Sequence, residues 1–97
     1  VLERARTSPA FRRGLLTRGV SQLLTGNEED RAVGKSLLRD YINATIGFQQ
    51  LAAELNRKPQ SLMRMFSRDG NPRLSSLADV VQHLQMHEKV QLQVEAK

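Results

Sequence analysis

Two helical patterns separated by only three residues constrain this chain more than anything else in it. Phe48, Leu51, Ala52 and Leu55 fall at i, i+3, i+4 and i+7, which draws one apolar face along a helix. After Pro59, a residue favoured at the first position of a helix, Leu62, Met65 and Phe66 repeat at i, i+3 and i+4. Only Asn56, Arg57 and Lys58 lie between, and Asn tolerates the left-handed backbone that ends one helix and lets another begin. Two short helices joined so tightly cannot lie flat against each other. They cross steeply, as a helix-turn-helix over residues 48–66. The small Ala52 falls where the second helix presses closest.

At 97 residues the chain supports one domain with a modest core, without volume for a large active-site cleft as well. The absence of cysteine removes disulfides, thiolate metal sites and a cysteine nucleophile, and suits a reducing cytoplasm. No apolar run approaches the ~18 residues of a membrane span, and none sits behind a basic start as in a secretory leader. No membrane partner is expected. The net charge of +5 is unevenly placed. Residues 1–26 carry five arginines against Glu3, and residues 47–73 carry Arg57, Lys58, Arg64, Arg68 and Arg73 against Glu54 and Asp69. Residues 27–46 and 74–97 are each slightly acidic. Positive charge gathered at the amino terminus and around the helix-turn-helix suits a polyanion; a solvated basic face is the plainer reading.

Residues 1–7 lack periodicity and are expected to form a mobile basic arm ahead of a single domain over 8–97. Ser8 and Pro9 read as the cap and first position of a helix whose face carries Phe11, Leu15, Leu16, Val20, Leu23 and Leu24 and which stops at Gly26. Asn27 caps the next, with Glu28, Glu29 and Asp30 in its first turn, where carboxylates complement the helix dipole. Its buried stripe is expected at Val33, Leu37, Leu38, Tyr41 and Ile42, and Gly47 leads into the helix-turn-helix. Residues 67–73 are rich in turn formers. Leu74, Leu77, Ala78, Val81 and Leu84 then describe a fifth helix, capped near Ser75 or Ser76. In the tail the period changes to two: Val90, Leu92 and Val94 alternate with Gln91, Gln93 and Glu95, predicting a strand over 89–95. A lone strand leaves its backbone groups unpaired, so it would pair with a second copy or with another protein; a disordered tail with chance alternation is the rival.

The run from Leu38 to Gln85 resembles the helix-turn-helix antitoxins of the addiction-module antidote type, within the lambda repressor-like DNA-binding domains. The residues that carry the likeness are Leu51–Ala52, the stretch SLMRMFS at Ser61 to Ser67, and GNP at Gly70 to Pro72. The fold expected is all-α, five helices of the lambda repressor-like kind with a short C-terminal β-strand. The resemblance implies a cytoplasmic, nucleoid-associated repressor that binds a palindromic operator in double-stranded DNA as a homodimer. It also implies autoregulation of a type II toxin–antitoxin operon and neutralisation of a toxin partner, usually a small ribonuclease. The chain departs from the family pattern in its turn, where Arg57 and Lys58 replace a small apolar residue and a Ser or Thr cap, weakening the cap by about 1 kcal/mol. Its basic amino-terminal helix is also less typical. Two alternatives stand beside this reading: a phage- or plasmid-derived regulator without a toxin, and a protein-interaction module that has lost DNA binding.

If the second helix of the motif enters the major groove, its exposed N-terminal positions meet base edges. These are Gln60, Ser61 and Arg64, flanked by Met63. Gln pairs with adenine, Arg with guanine, Ser with either, and Met can touch a thymine methyl. Gln49, Gln50, Arg57, Lys58, Arg68 and Arg73 are candidate phosphate contacts, which position without specifying sequence. Arg12, Arg13 and Arg18 could meet DNA, solvent or a toxin. Val90, Leu92 and Val94 would carry the dimer or partner contact. His83 and His87 have a two-ligand spacing, but with no Cys and no convergent carboxylate a metal is not expected, and no cofactor is. No nucleophile turn or phosphate loop occurs, so no catalytic residue is assigned and an enzyme is not expected.

Overall fold

A computed structural model describes residues 2–88 of the chain. Six helices occur among them and no strand: α1 Leu2–Thr7, α2 Pro9–Thr25, α3 Glu28–Ala44, α4 Phe48–Glu54, α5 Pro59–Met65 and α6 Leu74–Glu88. The fold is all-α. The strand expected over 89–95, with Val90, Leu92 and Val94, lies outside the described residues.

Local signals place most helix ends. The Ser8 hydroxyl accepts from the Phe11 amide, with Pro9 at the first position of α2. Asn27 and Asp30 form a reciprocal capping box, each side chain accepting from the other's amide, at the start of α3. Gly47, at φ 81°, supplies the left-handed step from α3 into α4.

The structure departs from the sequence expectations in three helices, and for α1 and α3 long-range packing is the cause. The arm expected over 1–7 is instead the helix α1, with Ala5 fully buried and its carbonyl accepting from Arg12 Nη1. The buried face of α3 runs through Gly34, Lys35, Leu38, Tyr41 and Ile42, while Val33 stays exposed. α2 is the reason: α2 and α3 cross at Gly19 and Gly34, which turns Gly34 rather than its neighbour inward. α6 begins at Leu74, ahead of Ser75 and Ser76, and the Leu77 amide bonds to the Arg73 carbonyl. Leu74 and Ala78 are exposed, and Val80 is the fully buried residue of that helix's middle turn.

The crossing of α2 and α3 is close. A Cβ on Gly34 would stand 2.8 Å from the Gly19 carbonyl oxygen and 2.8 Å from the Leu23 amide nitrogen, both backbone atoms that cannot rotate away. Gly34→Ala is therefore expected to part the helices and lower stability by about 2 kcal/mol. Gly14, mid-helix on the exposed side of α2, has nothing within 4 Å of the same construction. Gly14→Ala is expected to raise stability by about 1 kcal/mol through helix propensity alone. Urea unfolding of the two variants checks both signs.

Candidate nucleic-acid interface

α4 and α5 meet as the spacing of their apolar residues predicts. Leu51, Ala52, Leu62 and Phe66 are fully buried, and the Phe48 and Phe66 rings lie 6.3 Å apart at a 52° tilt. The turn closes on Asn56, the one non-glycine residue with positive φ (55°) among the described residues. The Asn56 amide bonds to Ala53 O and the Arg57 amide to Ala52 O, satisfying carbonyls that the end of α4 would otherwise leave open. α5 then starts at Pro59. Its cap, Lys58, makes no side-chain bond to the helix, in keeping with the departure of this turn from a Ser or Thr cap.

α5 has a buried face and an open one. Leu62 is inside, and Phe66 just beyond the helix is inside as well. Gln60, Ser61, Met63 and Arg64 are exposed, with Gln60 and Arg64 roughly opposite Leu62 around the helix. The four residues expected to meet bases are thus accessible on one helix, and of the candidate phosphate contacts Gln49, Gln50, Lys58, Arg68 and Arg73 are exposed as well.

Not every cation named from the sequence is free to contact a phosphate. Arg57 is half-buried and reaches Asp79 of α6, Nη2 to Oδ2 3.3 Å. Gln50 donates to Glu54 Oε2 at 2.9 Å, and Glu54 Oε1 meets His83 Nε2 at 2.5 Å. The Gln50 bond and then the His83 bond hold the Glu54 carboxyl below its usual range. The Glu54–His83 pair ties the first helix of the motif to α6, and Arg57–Asp79 ties the turn after it. Among the described residues no three His, Asp or Glu side chains converge as a metal site would need.

The amino-terminal arginines are drawn inward in part. Arg12 donates to Glu88 through Nε at 2.6 Å and Nη2 at 3.2 Å, and Tyr41 OH donates to the same carboxylate at 2.7 Å. Arg13 Nε lies 3.6 Å from Glu88, and the Arg4 guanidinium stacks over the Phe11 ring at 4.5 Å. Arg12 is thereby a structural cation rather than a surface one.

Two side chains make bonds beside α5 that had no signal in the sequence. Arg39 Nη1 donates to the Phe66 carbonyl at 2.7 Å, and Lys35 Nζ donates to the carbonyls of Arg68 at 3.0 Å and Gly70 at 2.7 Å. Both side chains come from α3, and Lys35 is only 8% exposed. Their spacing of i, i+4 marks a shared helix face but says nothing of the backbone 27 to 35 residues away that they hold.

No family model, curated protein or solved structure matches the chain. No helix among the described residues is long and apolar enough to cross a membrane.

Proposed function

We propose that this protein is a sequence-specific DNA-binding transcriptional repressor. Its resemblance to helix-turn-helix antitoxins suggests that it autoregulates a type II toxin–antitoxin operon and neutralises a toxin. The observation that carries the reading is α5. A short helix sits across α4 with Leu62 and Phe66 anchored in the core, while Gln60, Ser61, Met63 and Arg64 stand exposed on the other side. Those residue types match the donor and acceptor pattern of base edges in the major groove. Basic residues on either side of them match the phosphates that flank a groove. A dimer would place two such helices one DNA turn apart, about 34–36 Å, on a palindromic operator. Occupying a promoter in that way excludes polymerase without any chemistry.

The reading is tested by fluorescence anisotropy of the protein against its own promoter fragment and a scrambled duplex, across a range of salt concentrations. A preference of at least about 10³ for the promoter is expected. Arg64→Ala is expected to weaken promoter binding by roughly 10- to 100-fold while leaving the salt slope near its original value, because a base contact is lost and no phosphate contact is. Equal, weak and strongly salt-dependent binding to both duplexes would instead leave a basic surface without readout, and the protein-interaction alternative would replace this one. Co-purification of a small basic protein from the native operon separates an antitoxin from a regulator without a toxin.

A further inference from the structure

We propose that Lys35 and Arg39 of α3 are positioning residues for base recognition, clamping the end of α5 so that Gln60 and Arg64 meet the groove at a fixed angle. The proposal rests on the DNA-binding reading of α5 and adds to it a determinant of specificity that touches no DNA.

α5 has only seven residues, about two turns. No side chain caps its first turn. Leu62 and Phe66, with the partly buried Met65, seat it on the core along one side. The other end is held from α3. Phe66 O accepts from Arg39, and the loop that follows is held through Arg68 O and Gly70 O by Lys35. The last carbonyls of a helix have no partner within it and carry the negative end of the dipole, so a cation is a favoured donor to Phe66 O at the cap of α5. Charge-assisted bonds of this kind are shorter and stronger than neutral ones. The same segment is internally tied, because Arg64 O accepts from both the Ser67 amide and the Ser67 hydroxyl. A shift at Phe66 or Arg68 is therefore passed to Arg64.

Filling space does not require this arrangement. A buried ammonium is costly where a methionine would occupy the same volume. What Lys35 and Arg39 add is direction. They come from the helix that packs closely on α2 at the Gly19 and Gly34 crossing, so the angle of α5 is referred to that crossing. Base readout tolerates displacements of only about 0.5 Å and 10–20°.

The experiment uses the full chain, with Lys35→Met, Arg39→Gln and the conservative Arg39→Lys. Each is titrated against the promoter and scrambled duplexes over a salt series, and its thermal unfolding is followed by circular dichroism. Lys35→Met and Arg39→Gln, folded at the assay temperature, are expected to lose at least about tenfold of the promoter preference with an unchanged salt slope, and Arg39→Lys to recover part of it. A purely structural role would lower the melting temperature and leave the preference of the folded protein intact, which would overturn the proposal. So would a salt slope reduced by about one per variant, since that marks a direct phosphate contact. If the wild type itself binds both duplexes equally, the DNA reading fails, and hydrogen exchange judges the clamp alone. Lys35→Met is then expected to speed exchange at residues 66–70 at least about tenfold with α2 and α3 unaffected, and unchanged exchange there overturns the clamp.

Discussion

Glu88→Ala is expected to lower the unfolding free energy by about 3 kcal/mol and the melting temperature by roughly 10–20 °C. Glu88 is 7% exposed at the end of α6, and its two carboxylate oxygens are shared by Arg12, Tyr41 and, more distantly, Arg13. Removing the carboxylate strands the Arg12 guanidinium and the Tyr41 hydroxyl, the second of them in a fully buried side chain. The loss is larger than that of an exposed ion pair because little water can take the carboxylate's place. It also undoes the link between the two ends of the described fold, since Arg12 simultaneously holds the carbonyl of Ala5 in α1.

The same cluster sets a pH dependence. Burial pushes the Glu88 carboxyl upward, but the bonds from Arg12 and Tyr41 and the charges of Arg12 and Arg13 outweigh it, and the group titrates below the usual carboxylate range. Burial first, and then the bond to Glu88, push the Tyr41 phenol well above its ordinary value, so it remains a donor throughout. A carboxyl depressed in the folded state contributes fully above the ordinary pKa of about 4.3 and loses its contribution as the pH falls through the lower folded value. The stability gap between wild type and Glu88→Gln is thus widest near neutrality and closes in acid. Chemical denaturation at pH 7, 5 and 3 measures it, and a gap that does not narrow contradicts this account of the cluster.

Gly70→Ala is expected to be comparably damaging, at about 3 kcal/mol. A Cβ at this position would fall 2.0 Å from the Arg64 carbonyl oxygen and 2.9 Å from that of Met65. Both are backbone atoms of the last turn of α5, and the first is already held by Ser67. Relief requires the loop to swing away from α5, which stretches the bond from Lys35 to Gly70 O. The loss is expected in thermal unfolding, and it distinguishes Gly70 from Gly14, where the same substitution is expected to stabilise. The glycine of the GNP run is therefore explained by the closeness of the loop to the helix before it.

Signals that act over three or four residues were legible in the sequence. Ser8 and Asn27 cap the helices that follow them, and Asn56 takes the left-handed turn between α4 and α5. The division of α5 into a buried Leu62 side and an open Gln60 and Arg64 side also follows from spacing alone. What could not be read depends on partners far along the chain. Arg12 resembles any surface arginine until Glu88, 76 residues on, is beside it. α1 is too short to announce itself by periodicity and owes its place to Ala5 and Arg12. Val33 has the chemistry of a core residue and Lys35 of a surface one. The glycine crossing reverses them, because it turns the next positions of α3 toward α2 and toward the loop after α5.

That crossing also bears on the order in which the chain acquires structure. α2 and α3 are neighbours in sequence, each 17 residues long with its own side-chain cap, and they pair across a turn of two residues. Contacts so local close with little loss of chain entropy and form early. α5, at seven residues, is below the ~12–15 at which an isolated helix persists in water, and the Phe66 carbonyl just beyond it finds its side-chain donor on α3. A chain emerging from the ribosome is therefore expected to build the hairpin of α2 and α3 first and to template α5 upon it.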